Sequence, residues 1–190
     1  CSTGFWDATH AQNWGLNWHR NEGIELTWLE TGSLTFTLES DSYLLQPGDI
    51  TITRPWQPHK LGEPYINACR LHWLILDIGV RQTHQEWQWP NWIVLTREDI
   101  IELTNCLRLN EEPVWKTDSE TARCFRKTTE CSRYAVEDVA SKLTIYINEL
   151  LLNLLEMFRS QRVSLSTTLT TARRSTELFL NSIKQNVDDQ

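Results

Sequence analysis

The stretch from Tyr43 to His59 constrains the chain most: strand, tight turn, strand, then a proline-stiffened loop ending in a histidine. Pro47 presets φ and Gly48 supplies the permissive backbone a turn requires. The alternation of Ile50 and Ile52 with Thr51 and Thr53 therefore starts on a fixed phase. Pro55 and Pro58 stop that strand, and His59 is held at its end. Upstream, residues 24–30 and 33–39 flank Thr31-Gly32 as a hairpin. Strands are expected over 24–30, 33–39, 42–46 and 49–54, and their short, regular spacing suggests a small barrel or sandwich. The apolar run of residues 65–77 reads as a buried strand, and residues 92–95 as a last short one, after a tryptophan-rich loop around Pro90. Residues 1–20 have no clean period and read as an arm anchored by Phe5, Trp6, Trp14 and Trp18.

From Thr96 the period changes. Thr96 is a helix cap with acid in the first turn, and Ile100, Leu103 and Leu107 share a face. A second helix starts at Asp118, after a break at Pro113. The third carries the strongest helical signal: Val136, Val139, Leu143, Ile147, Leu150, Leu154 and Met157 repeat near the 3.5-residue average of a coiled-coil seam, with Ala140, Leu151, Leu155 and Phe158 widening the stripe. A stripe this wide can serve two partners, so Leu143, Ile147, Leu150 and Leu154 are candidate contacts of a homodimer through the helix of residues 133–160. One wide intramolecular face is the other reading. A Ser/Thr-rich stretch after Arg159 reads as a linker, and residues 173–186 as one more short helix.

Composition narrows the function. A net charge of −7 argues against wrapping nucleic acid with the bulk surface. Five cysteines, with no Cys-x-x-Cys, suggest neither a disulfide framework nor a zinc knuckle and fit a reducing cytoplasm. No apolar run approaches the roughly 20 residues that span a bilayer. The start, Cys1-Ser2-Thr3-Gly4, has no signal-peptide character and reads as trimmed. The ten tryptophans are the compositional outlier: they fill a wide β-core, and one or two can wall a pocket, stacking on a sugar ring or an aromatic effector. No nucleophile elbow, phosphate-cradling Gly loop or scaffolded carboxylate pair is present, so enzymatic activity is not expected.

The residues Glu25 to Gly32, Pro47-Gly48-Asp49, Ile50 to Thr53 and Pro55 to His59 resemble a cupin barrel, and more narrowly the ligand-binding domain of the AraC family of bacterial transcription activators. The resemblance implies a mainly β fold with C-terminal helices: a cupin-like small barrel (double-stranded β-helix or jelly roll) followed by a helical dimerisation segment. It divides the chain into an arm and effector-binding barrel over 1–95, dimerisation helices over 96–160, and a linker with the first helix of a truncated DNA-binding domain over 161–190. It also implies that the arm can close over bound effector, and that DNA is contacted only through a domain outside this chain.

Alternate residues of a barrel strand face inward. With the cupin-like Glu25 setting the phase, the inward set is Glu25, Thr27, Leu29 and Thr31 on one strand, and Cys69, Leu71, Trp73 and Ile75 on another. Trp73 then falls where sugar-responsive AraC relatives carry a stacking Trp. The candidate ligand-binding residues are Glu25, Thr27, Thr31, His59, Leu71 and Trp73, suited to a neutral sugar or sugar-like effector, with no cofactor. The competing class is a metal-dependent cupin enzyme acting on a sugar or small acid. Its ligands would be His19, Glu25 and His59, although Asn17 stands where the cupin motif has its first His and His19 is set wide of Glu25. His72, beside Trp73, falls on the outer wall as a satisfied polar group.

Overall fold

The turn at Pro47-Gly48 forms as its residues require. Gly48 has φ 88°, the Asp49 N–H donates to the Gln46 carbonyl at 2.9 Å, and the Gln46 N–H donates to Asp49 Oδ2 at 2.6 Å. Asp49 is thereby consumed as a turn residue, and Lys116 pairs with its other oxygen at 2.6 Å. The structure, a computed structural model, describes residues 1–62, 66–82 and 85–161. Its strands are β1 (Ser2–Ala8), β2 (Leu16–His19), β3 (Ile24–Gly32), β4 (Leu34–Leu38), β5 (Asp41–Leu45), β6 (Asp49–Thr53), β7 (His59–Leu61), β8 (Cys69–Leu76) and β9 (Val114–Lys116). The helices are α1 (Arg97–Leu109), α2 (Ser119–Glu130) and α3 (Val136–Gln161).

The strands form a five-stranded sheet, β1-β8-β3-β6-β9, and a four-stranded sheet, β2-β7-β4-β5, with every pairing antiparallel. The inner faces meet in a core of Leu29, Leu34, Phe36, Leu45, Leu61 and Leu71. The outer face of the larger sheet, with Ile24, Leu26, Trp28, Ile50 and Leu74, packs against the helices in a second core with Leu103, Phe125, Leu150 and Leu154. Both faces of β3 are therefore covered.

Several expectations change. The arm of residues 1–20 is mostly sheet: β1 pairs β8 along its whole length and β2 pairs β7. Its period was invisible because Gly4 and Ala8, two of the inward-facing residues of β1, are small. Residues 92–95 are not a strand. Asn148 of α3 satisfies their backbone instead, accepting from Val94 N at 2.7 Å and donating to the Trp92 carbonyl at 3.2 Å. The short β7 and β9 were hidden beside prolines, and β9, within the helical half, pairs with β6 of the barrel. Thr96 and Asp118 cap α1 and α2 as expected, accepting from Asp99 N and Thr121 N.

The stripe on α3 packs within the chain. Ile147, Leu150 and Leu154 are fully buried within the chain, and Leu143 packs at the edge of the same core. The intramolecular reading accounts for these four residues, because the helix lies on the outer sheet face and on α2. Among the described residues the large exposed apolar side chains of α3 are Ile145 and Leu152, on its opposite side. His72 faces outward as expected but is buried beneath α2, with Nε2 2.8 Å from Glu30 and Nδ1 2.7 Å from Thr129 Oγ1. The linker and helix expected beyond Gln161 lie outside the described residues.

Candidate functional site

A cavity of about 340 Å³ opens between the two sheets. Cross-strand pairing assembles its wall: on the inner face Gly4 opposes Trp73, Trp6 opposes Leu71, and Glu25 opposes Ile75. Gly4 is required there, because a Cβ at that position would lie 2.5 Å from Trp73 Cζ2. The Trp73 indole thus occupies the space that a side chain at residue 4 would fill. Among the described residues, Trp14, Leu16, Leu34, Leu61, Ile66 and Cys69 complete the apolar wall, and the polar lining residues are His19, Asn21 and Glu25.

The polar end is organised by Glu25. Its Oε2 accepts from His59 Nε2 at 2.8 Å and from Asn21 Nδ2 at 2.6 Å, and Thr27 Oγ1 lies 3.4 Å from Oε1. His59 Nδ1 lies 3.0 Å from the Gln57 carbonyl, which can only accept. With a carbonyl beside one nitrogen and a carboxylate beside the other, both ring nitrogens face acceptors, an arrangement that favours the imidazolium. The electrostatics agree. Burial pushes the His59 pKa down, but the hydrogen bond and charge of Glu25 outweigh it and hold the group above its ordinary value. Burial likewise pushes Glu25 up, while His59, His19 and Asn21 bring it below its ordinary value.

The pairing of β2 with β7 sets His19 opposite His59, with ring centroids 4.2 Å apart and His19 Nε2 4.0 Å from Glu25 Oε2. Ligand atoms of His19, Glu25 and His59 all lie within 4.8 Å of one another. His19 Nδ1 donates to the Asn17 carbonyl at 2.8 Å, so both imidazoles are fixed through Nδ1 and turn Nε2 to the carboxylate. This is how metal-ligating histidines are oriented, and the three residues fit a divalent cation that takes the place of the His59 proton.

The candidate residues of the sequence divide. Leu71, Trp73 and Glu25 line the cavity. His59 and Thr27 are buried behind Glu25 and contact it. Thr31 is exposed: the register shifts between Leu29 and Thr31, so Thr31 pairs with the outward Arg70 and leaves the inward phase. Trp6, Trp14 and Leu16 were missed because they lie in the segment read as an arm, Asn21 because it lies between that arm and the first expected strand, Leu61 because it lies in a stretch read as loop, and Ile66 because it stands outside the inward set of Cys69, Leu71, Trp73 and Ile75. Pairing β1 onto β8 would have found Trp6.

These features define a cupin-like double sheet with an internal ligand-sized cavity. The sequence model of the AraC-like ligand binding domain matches residues 7–155, and the chain belongs to that family. No curated protein matches the sequence significantly. Among solved structures, the chain is similar to a cupin superfamily protein of Desulfitobacterium hafniense (12% identity, TM-score 0.30, covering 38% of this chain and 61% of that one). It is also similar to ToxT of Vibrio cholerae: an apo form (9% identity, TM-score 0.49, covering 87% and 59%) and a form bound to an unsaturated fatty acid (11% identity, TM-score 0.45, covering 87% and 57%). The chain spans about 60% of the length of these structures. Among the described residues no helix is long and apolar enough to cross a membrane.

Proposed function

We propose that this chain is the effector-sensing part of an AraC-type transcription regulator, a ligand-binding module and not an enzyme, acting in the cytoplasm. The effector occupies the cavity between the sheets, and DNA is bound only through a further domain. The division into an effector unit over 1–95, helices over 96–160 and a linker over 161–190 belongs to this reading, as does a homodimer formed through the helices. With Ile147, Leu150 and Leu154 turned inward, a dimer through α3 would use the face that carries Ile145 and Leu152.

The observation that carries the ligand assignment is the lining. A sugar needs donors and acceptors around its whole rim, and among the described residues polar side chains stand at one end only. Trp73 and Glu25 supported a sugar in the sequence, but the wall favours a neutral, largely apolar molecule with one hydroxyl or amide head that donates to Glu25 or to His19 Nε2. Octanol is a suitable probe: burying eight carbons at about 0.8 kcal/mol each gives a Kd on the order of tens of micromolar. Calorimetry should show that binding, with Trp73→Ala weakening it several-fold while the fold persists. Saturable binding of glucose with none of octanol would overturn the apolar reading in favour of the sugar. A second reading, a metal-holding cupin, is favoured by the convergence of His19, Glu25 and His59.

A further inference from the structure

A second cavity, of about 300 Å³, shares no lining residue with the first. It lies between the turn after β6, the segment after β8 and the last turn of α1, and is walled by Arg54, Trp56, Trp87 and Arg108. The turn is unusual. The Gln57 N–H donates to the Arg54 carbonyl at 3.1 Å, with Pro55 second and Trp56 third, and Trp56 has φ 65°. That third position of a type II turn favours glycine. Among the described residues the non-glycine positions of positive φ are Glu39 and Trp56, and both border this cavity. Glu39 is the first loop residue of the β4–β5 hairpin, where such a φ is ordinary. Trp56 has no such excuse, and strained backbone of this kind collects at functional sites.

The polar groups point to the ligand's chemistry. Arg54 is partly buried, and its one side-chain hydrogen bond goes from Nη1 to the Arg108 carbonyl at 3.2 Å, leaving most of a five-donor fork unused. Among the described residues no carboxylate lies within salt-bridge distance of it; Glu39 and Glu111 act on it only through their charge. The Arg108 guanidinium sits 5.6 Å from the Trp87 ring centroid. The amide oxygen of Gln57 is already taken by the Arg54 N–H at 3.1 Å. The cavity thus combines two guanidinium groups, one carboxylate from Glu39 and two indole rings, Trp56 and Trp87, and its charged side chains leave a net positive charge. We propose that it is a second ligand site, for a small aromatic carboxylate whose charge is held by Arg54 and Arg108 and whose ring lies against the indoles. The same turn anchors the first cavity, since Trp56 N donates to the Asn21 carbonyl at 2.7 Å and Asn21 holds Glu25.

Titrating benzoate into the ¹⁵N-labelled chain tests this, with the indole N–H signals of Trp56 and Trp87 assigned by their Phe variants. Benzoate in the millimolar range, as expected for so few heavy atoms, should shift these two signals saturably and leave that of Trp73 in place. Benzylamine and benzyl alcohol should not saturate. Arg54→Gln and Arg108→Gln should each weaken benzoate on the order of tenfold. If Arg54→Gln does not fold, Arg108→Gln carries the comparison. The proposal is overturned by no saturable shift, by shifts confined to Trp6, Trp14 and Trp73, by benzylamine binding as well as benzoate, or by parent-like affinity in the folded Arg variants.

Discussion

Leu150→Ala separates the two roles the α3 stripe could play. Leu150 is 0% exposed and lies in the core shared by the helices and the outer sheet face. The substitution removes three carbons, worth about 0.8 kcal/mol each, and leaves a hole in a close-packed site, so a loss of about 3–4 kcal/mol is expected. Against a total stability on the order of 5–15 kcal/mol, that is a large share. Leu152, 39% exposed on the other side of the helix, should lose less than about 1 kcal/mol on the same change. Leu150→Glu, which buries a carboxylate with no partner, should abolish folding. Urea denaturation followed by circular dichroism, at two protein concentrations about tenfold apart, measures these values and reveals any coupling to assembly. If Leu150→Ala costs under about 1 kcal/mol while turning a dimer into a folded monomer, the residue belongs to a seam between copies and its intramolecular placement fails.

Two further outcomes concern the polar end of the first cavity. His59 is held above its ordinary value of 6.5, so its contribution is complete below that pH and fades as pH rises through the folded value. Glu25 is held below its ordinary 4.5, so its share is complete above that pH and fades as pH falls through the folded value. The pair therefore stabilises most between these two pH values. His72, whose pKa burial holds down, works in the opposite sense, so the test is the difference in Tm between parent and Glu25→Gln across pH; a difference that does not change with pH contradicts the pairing. On the metal reading, Zn²⁺ near neutral pH should bind with release of the His59 proton, and His19→Gln or Glu25→Gln should weaken it at least about tenfold. Absence of proton uptake by buffer on titration would count against the triad as a metal site.

The inner wall was legible because β3 and β8 carry two different sets of residues on their two faces. Glu25 and Thr27 alternate with Ile24, Leu26 and Trp28, and that alternation, with its phase taken from the cupin-like Glu25, divides the inward side of the strand from the side turned to the helices. It failed at Thr31, where a bulge inverts the phase without any glycine or proline at Glu30 to announce it. The α3 stripe marked a buried face correctly, but periodicity says how wide a face is and nothing of what covers it. The opposite wall was illegible. Leu61 sits in a three-residue strand between Pro58 and Gly62, too short for any period, and Trp6 alternates with Gly4 and Ala8, whose small side chains carry no hydrophobic signal. The coming together of His19 and His59 depends on a pairing between strands 40 residues apart in number, which no local spacing encodes.

Along β8, Leu71, Trp73 and Ile75 front the cavity while His72, Leu74 and Leu76 are turned to the helices, and β3 alternates in the same way. Between ligand and helices there is thus a partition one strand thick. A slip of a single residue would put His72 in the cavity and Trp73 against Thr129. Diversification of such a receptor is confined accordingly: new ligand preferences can arise by exchanging side chains at the odd-numbered positions of these two strands, whereas an insertion or deletion in either would scramble both compartments together and is tolerable only in the turns beyond their ends.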